Sequence, residues 1–132
     1  MAAKKDIKAP KKKQNTATSE HGRIYITATF NNTLVTVTND KGGVVAWSSA
    51  GSKGFKGTRK STPYAATMAV EEVVKKTTDK GMRSVDVYIK GPGAGRDSSL
   101  RAIKSGGLSI ASIADITPIP HNGPRPKNKR RI

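Results

Sequence analysis

At 132 residues the chain has room for one modest hydrophobic core and too little for two. Its 25 Lys and Arg against 9 Asp and Glu leave a net charge of +16, which a compact body tolerates best beside a polyanion, nucleic acid first among them. The absence of cysteine excludes disulfides, thiolate nucleophiles and Cys-held metals, and no apolar run approaches the roughly 18 residues that span a bilayer.

Residues 1–20 hold Lys4, Lys5, Lys8, Lys11, Lys12 and Lys13 with almost no apolar content. Such a segment cannot bury enough surface to offset its ordering entropy, so a basic extension, disordered in isolation, is expected there. No apolar stretch follows the lysines, as a secretory signal requires, and no Arg-rich amphipathic pattern marks a mitochondrial presequence; a cytoplasmic location is expected. A membrane surface is a poor partner, because aromatic residues are 5% of the chain and form no stripe along a helix.

The folded body is expected over residues 21–119, and it opens with strands. "RIYITATF" alternates, placing Ile24, Ile26, Ala28 and Phe30 on one face. "NNT" supplies turn residues, "LVTVTN" is a second strand, "DKGG" a second turn and "VVAWSSA" a third strand, an antiparallel meander with Trp47 expected in the core. "GSKGFKGTRKS" follows as a glycine-rich basic loop. Thr62 reads as an N-cap and Pro63 as the first helical residue. Ala66, Ala69, Val70, Val73, Val74 and Thr77 recur at helical spacing until Gly81, with Glu71 and Glu72 on the solvent face. "RSVDVYIKG" alternates Val85, Val87 and Ile89 as a fourth strand. The spacing then predicts a second helix over about Ser98 to Lys104, begun by Asp97 or Ser98, and "LSIASIADITP" a last strand ended by Pro118. The order β-β-β-α-β-α-β predicts an α/β fold with a mixed five-stranded sheet and helices packed on it, the layout of ribonuclease-H-like folds.

Ribonuclease-H chemistry needs several carboxylates around paired metal ions, and the first strand carries no acid at all. No nucleophile and base are marked either, so a non-enzyme without cofactor or metal is expected. Two stretches point instead to phosphate. In "KGPGAGRDSSLRAI", Gly91, Gly93 and Gly95 let a backbone approach an anion, Arg96 adds charge, and a helix N-terminus follows. The dinucleotide fingerprint fails on spacing, because G-x-G-x-x-G from Gly91 puts Arg96 where glycine belongs, although Asp115 lies where a ribose-binding acid would. A bare strand-to-helix turn without ligand is the plain alternative. In the basic loop, Lys53, Lys56, Arg59 and Lys60 put four cations in eight residues around Phe55. Phe55 is placed to stack on a base or to tuck into the core. Arg101 and Lys104 share a face of the second helix, with Leu100 and Ile103 turned to the sheet.

The last segment, residues 120–132, is a proline-interrupted basic tail carrying Arg125, Lys127, Lys129, Arg130 and Arg131. Its His121 and Asn122 suit stacking, phosphate contact or reading of a base edge. Asn122 precedes Gly123, whose unhindered nitrogen favours succinimide and then isoaspartate. Cations spread over tails, loop and helix, with no helix-turn-helix or basic zipper, favour a folded RNA over DNA.

"FNNTLVTVTN", "SSAGSKGFKGTRKSTPYAA", "KGPGAGRDSSLRAI" and "ITPIPHNGPRPKNKRRI" together closely resemble the family of bacterial small-ribosomal-subunit protein eleven, from about His21 to the C-terminus. The resemblance implies a structural protein on the platform of the small subunit that bridges helices of the small-subunit ribosomal RNA. It further implies a part in the cleft where the messenger's Shine-Dalgarno sequence pairs, with small-subunit proteins seven and eighteen as neighbours and initiation factor three nearby. It assigns RNA contact to the loop at Lys53–Lys60, the turn at Gly91–Arg96 and the C-terminal tail. Bacterial relatives typically have a cysteine after His-Asn-Gly where this chain has Pro124, and a more proline-rich basic run after it. No homo-oligomer is expected. A free-standing RNA chaperone is the alternative reading, and a nucleotide-binding enzyme a more distant one.

Overall fold

A computed structural model describes residues 20–131; the basic extension expected over residues 1–20 therefore lies almost wholly outside the described residues. In chain order the elements are β1 (His21–Ala28), β2 (Thr33–Asn39), β3 (Val44–Ser49), a 3-10 turn (Gly57–Ser61), α1 (Pro63–Asp79), β4 (Ser84–Lys90), α2 (Gly95–Ser105) and β5 (Ser109–Asp115). The predicted α/β fold, with its mixed sheet of five strands in that order, is the one observed.

Turn-forming residues join β1, β2 and β3 as an antiparallel meander, with Ile24 opposite Val37 and Ile26 opposite Val35. Parallel neighbours need a long crossover. Helix α1 provides one and seats β4 beside β1, and α2 provides the next and seats β5 beside β4. The sheet order is β3-β2-β1-β4-β5. One face of the sheet, built from Ile24, Ile26, Val35, Val37, Val85 and Val87, forms a single core with Val70, Val73 and Val74 of α1 and Ala102 and Ile103 of α2. Full burial of each such aliphatic side chain is worth about 1.5–3 kcal/mol, and the set outweighs any polar contact described below.

Helix α1 begins and ends where its sequence says. The Thr62 hydroxyl accepts from Ala65 N, and Pro63 occupies the first turn. At the other end Gly81 turns left-handed (φ +91°), its N–H donating to Thr78 O at 3.0 Å and Met82 N to Thr77 O at 3.3 Å. That pair of bonds satisfies the last carbonyls and aims the chain into β4.

Four expectations need correction. Trp47 is 61% exposed rather than core, because both helices cover one face of the sheet and Trp47 stands on the other, on an edge strand. Phe30 is 76% exposed; β1 ends at Ala28, and a turn in which Thr29 N donates to Asn32 O carries Phe30 to its tip. Glu72 does not stay on the solvent face, since the Ser48 hydroxyl donates to its Oε2 at 2.8 Å. Helix α2 starts at Gly95 instead of Ser98, with Ala94 already in helical conformation and no side-chain cap. Asp97 thus lies inside the first turn, where its charge complements the helix dipole.

Candidate nucleic-acid interface

Strand direction decides where the basic segments lie. β1, β4 and β5 run parallel, and β3 runs the same way because it is twice antiparallel through β2. The carboxyl ends of β3, β4 and β5 therefore share one end of the sheet. From that end leave, in turn, the basic loop, the glycine turn and the C-terminal tail. It is the end at which open α/β sheets commonly bind ligands.

The loop after β3 is better ordered than its composition suggests. Ser49 and Ser52 exchange bonds, Ser49 N donating to Ser52 Oγ at 3.0 Å and Ser52 N to Ser49 Oγ at 3.1 Å. A 3-10 turn then carries Arg59 and Lys60, and Thr62 Oγ1 donates to Arg59 O at 2.7 Å, tying the loop to the head of α1. Lys56 and Arg59 are exposed and Lys60 is half-buried. Lys53 Nζ lies 3.6 Å from Glu72 Oε2, and Lys76 Nζ lies 3.1 Å from Oε1 of the same carboxylate. These contacts, led by the Ser48 hydroxyl and then Lys76, hold the Glu72 carboxyl below its ordinary range. Phe55 takes neither extreme: it is half-buried and meets Tyr64 edge-on, with ring centroids 5.9 Å apart. Tyr64, 65% exposed in the first turn of α1, is the aromatic that sequence reasoning missed. Its signal was its place directly after the N-terminal proline, facing back along the loop.

The glycine turn packs against its own protein. A Cβ on Gly91 would stand 2.4 Å from Ala28 O, one on Gly93 2.4 Å from Thr29 O, and one on Gly95 2.5 Å from Thr33 Oγ1. Gly93 N donates to Ala28 O at 2.8 Å. The close approach the glycines permit is thus to the end of β1, and it seats the N-terminus of α2 at the carboxyl end of the sheet. Arg96 donates through Nη1 to Gly91 O and through Nη2 to Asp115 Oδ2, both at 2.8 Å. Asp115, the residue placed for a ribose, is committed instead to Arg96 and Thr117. Farther along α2, Arg101 and Lys104 are exposed while Ile103 is buried and Leu100 half-buried.

Residues 116–131, which include His121, Asn122, Arg125, Lys127, Lys129, Arg130 and Arg131, are exposed and belong to no helix or strand. Asn122 is left-handed (φ 62°), a conformation asparagine tolerates better than most residues. The other acid in the strands, Asp86, is paired elsewhere: His21 Nε2 donates to its Oδ2 at 2.9 Å and the Ser112 hydroxyl to Oδ1 at 2.8 Å. Among the described residues no three His, Asp or Glu side chains are grouped to share a metal ion, and no helix is long and apolar enough to cross a membrane.

The sequence model of one family, described as Ribosomal protein S11, matches residues 22–131. The chain belongs to that family. The match takes in β1 through the basic tail, so all three segments at the carboxyl end of the sheet lie within it. Membership in the ribosomal protein S11 family makes the chain a structural protein of the small ribosomal subunit, associated there with ribosomal RNA.

Proposed function

We propose that the carboxyl end of the sheet is the RNA-binding surface, and that through it the chain bridges helices of the small-subunit ribosomal RNA on the platform of the subunit. The observation that carries this reading is the convergence there of the basic loop, the glycine turn and the basic tail. Lys53, Lys56, Arg59 and Lys60 neutralise backbone phosphates, with Phe55 and Tyr64 offering aromatic edges beside them. The N-terminus of α2, framed by Gly91, Gly93, Gly95 and Arg96, faces a further phosphate, and Arg101 and Lys104, which lie farther along α2 toward the start of β5, carry a cationic flank away from that end. His121, Asn122 and the tail cations Arg125, Lys127, Lys129, Arg130 and Arg131 enter a crevice of the folded RNA. On this reading the protein works in cytoplasmic ribosomes, helps shape the cleft for the messenger's Shine-Dalgarno pairing, and neighbours small-subunit proteins seven and eighteen, with initiation factor three close by.

A tagged chain sedimented from cell extract before and after a high-salt wash tests the placement. One copy per small subunit surviving the wash is expected of a component locked in by shape as well as charge. A chain that washes off, or sediments alone, overturns it in favour of a free-standing RNA binder.

A further inference from the structure

Four residues at the foot of the tail form a closed ring of hydrogen bonds. Arg96 donates to Gly91 O and to Asp115 Oδ2, each at 2.8 Å. Asp115 Oδ1 accepts from Thr117 N at 2.9 Å and from the Thr117 hydroxyl. That same hydroxyl oxygen accepts from Gly91 N at 3.1 Å, which closes the ring. One residue earlier, Ile116 N donates to Ile89 O at 2.8 Å. Residues 118–131 are exposed and outside any element, so the ring stands at the foot of the tail.

We propose that this ring is a clasp, in which Arg96, Asp115 and Thr117 are positioning residues that set the direction in which the cationic tail leaves the body. The inference rests on the RNA-binding reading above. It assigns Arg96 a task apart from touching phosphate: two of its N–H groups hold protein, and the others remain for RNA. It also accounts for an acid on a surface built for a polyanion. As a bare charge Asp115 repels RNA; as the hub of the clasp it fixes the tail against the glycine turn, so that both meet the RNA as one surface. A tail held in its bound direction loses less freedom on binding. Thr117 and Arg96 hold the Asp115 carboxyl far below its ordinary range, and the hub therefore stays ionised throughout the pH range in which ribosomes work.

The test measures binding of full-length variants to transcribed small-subunit ribosomal RNA, with thermal unfolding followed alongside. Asp115→Asn raises the net charge by one, and if the acid were only a surface charge the variant would bind more tightly. The clasp predicts the opposite, about three- to tenfold weaker binding. Thr117→Val leaves the charge unchanged and weakens binding in the same sense, which keeps the test open should Asp115→Asn fold poorly. In a chain whose Arg125, Lys127, Lys129, Arg130 and Arg131 are all glutamine, Asp115→Asn no longer weakens binding, because the clasp acts through the tail. Equal or tighter binding by Asp115→Asn and Thr117→Val overturns the clasp, as does an undiminished loss in the glutamine-tail chain. Failure of the underlying RNA reading looks different: the glutamine-tail chain would then bind as tightly as the parent.

Discussion

Single residues in this protein are held by space as much as by bonds, and Gly93 is the clearest case. Its backbone is not left-handed, so no conformational reason forbids a side chain; the backbone of Ala28 and Thr29 does, with Thr29 O at 2.4 Å and Ala28 C at 2.7 Å from an added Cβ. Backbone cannot rotate aside as a side chain can. Gly93→Ala is expected to cost about 3 kcal/mol, the upper end of overpacking penalties, read as a lower denaturant midpoint at unchanged slope. Gly107→Ala, which meets nothing within 4 Å but needs φ +89°, loses only about 1–2 kcal/mol of left-handed strain. The Asp86 site makes a pH prediction. Its carboxyl is lowered by the His21 bond and then by the Ser112 hydroxyl. A folded-state value below the unfolded one stabilises above the unfolded value, near 4, and that stabilisation disappears as pH falls through the folded value. Ser112→Ala brings the folded value back toward the unfolded one. The variant should melt below the parent at neutral pH and converge on it in acid; a gap that does not change with pH would refute the linkage.

At the scale of elements, the head of α1 joins fold to site. Thr62 caps the helix through Ala65 N and, through its own hydroxyl hydrogen, holds Arg59 O of the basic loop. Thr62→Ala should cost about 1 kcal/mol of stability, and amide exchange should quicken in the first turn of α1 and in the loop together. Exchange confined to the helix would mean that the loop is held elsewhere. The cap, the heptad-like run to Gly81 and the alternation of β1 and β4 were legible in the sequence, because each rests on neighbours within one element. What was not legible rests on partners far along the chain. Trp47 read as core because alternation gives two faces without saying which one the helices cover, and Phe30 read as sharing a face with Ile24, Ile26 and Ala28 because alternation does not show that the strand stops at Ala28. Gly95 read as loop because glycine is a poor helix former, yet the space between Thr33 and Ala66 admits nothing larger. The three phosphate-directed segments were each visible, but their meeting at one end of the sheet follows from strand order, which no local pattern carries. Arg96 was read as a phosphate ligand and Asp115 noted only for its distance from a fingerprint that fails; 19 residues apart, they show no local sign that they pair.

For the molecule as a whole, a charge of +16 has opposite consequences for the free and the bound chain. Free, the like charges repel and lower stability; bound, each cation that meets a phosphate releases counterions. Lys56 and Arg59 are the best place to separate the two, since both are exposed and neither has an acid within ion-pair distance among the described residues. Changing both to glutamine should leave the unfolding midpoint unchanged or slightly raised. The same double change should weaken binding to small-subunit ribosomal RNA and flatten its dependence on salt. With about 0.7–0.9 per phosphate, the slope of log K against log salt should fall by about 1.5. A weaker complex with an unchanged slope would mean that the two side chains act through shape or hydrogen bonds rather than charge. An unchanged complex would move the phosphate contacts away from the loop, toward the tail and the head of α2. Stability and binding moving in opposite directions is the mark of a surface whose cations serve the partner and not the fold.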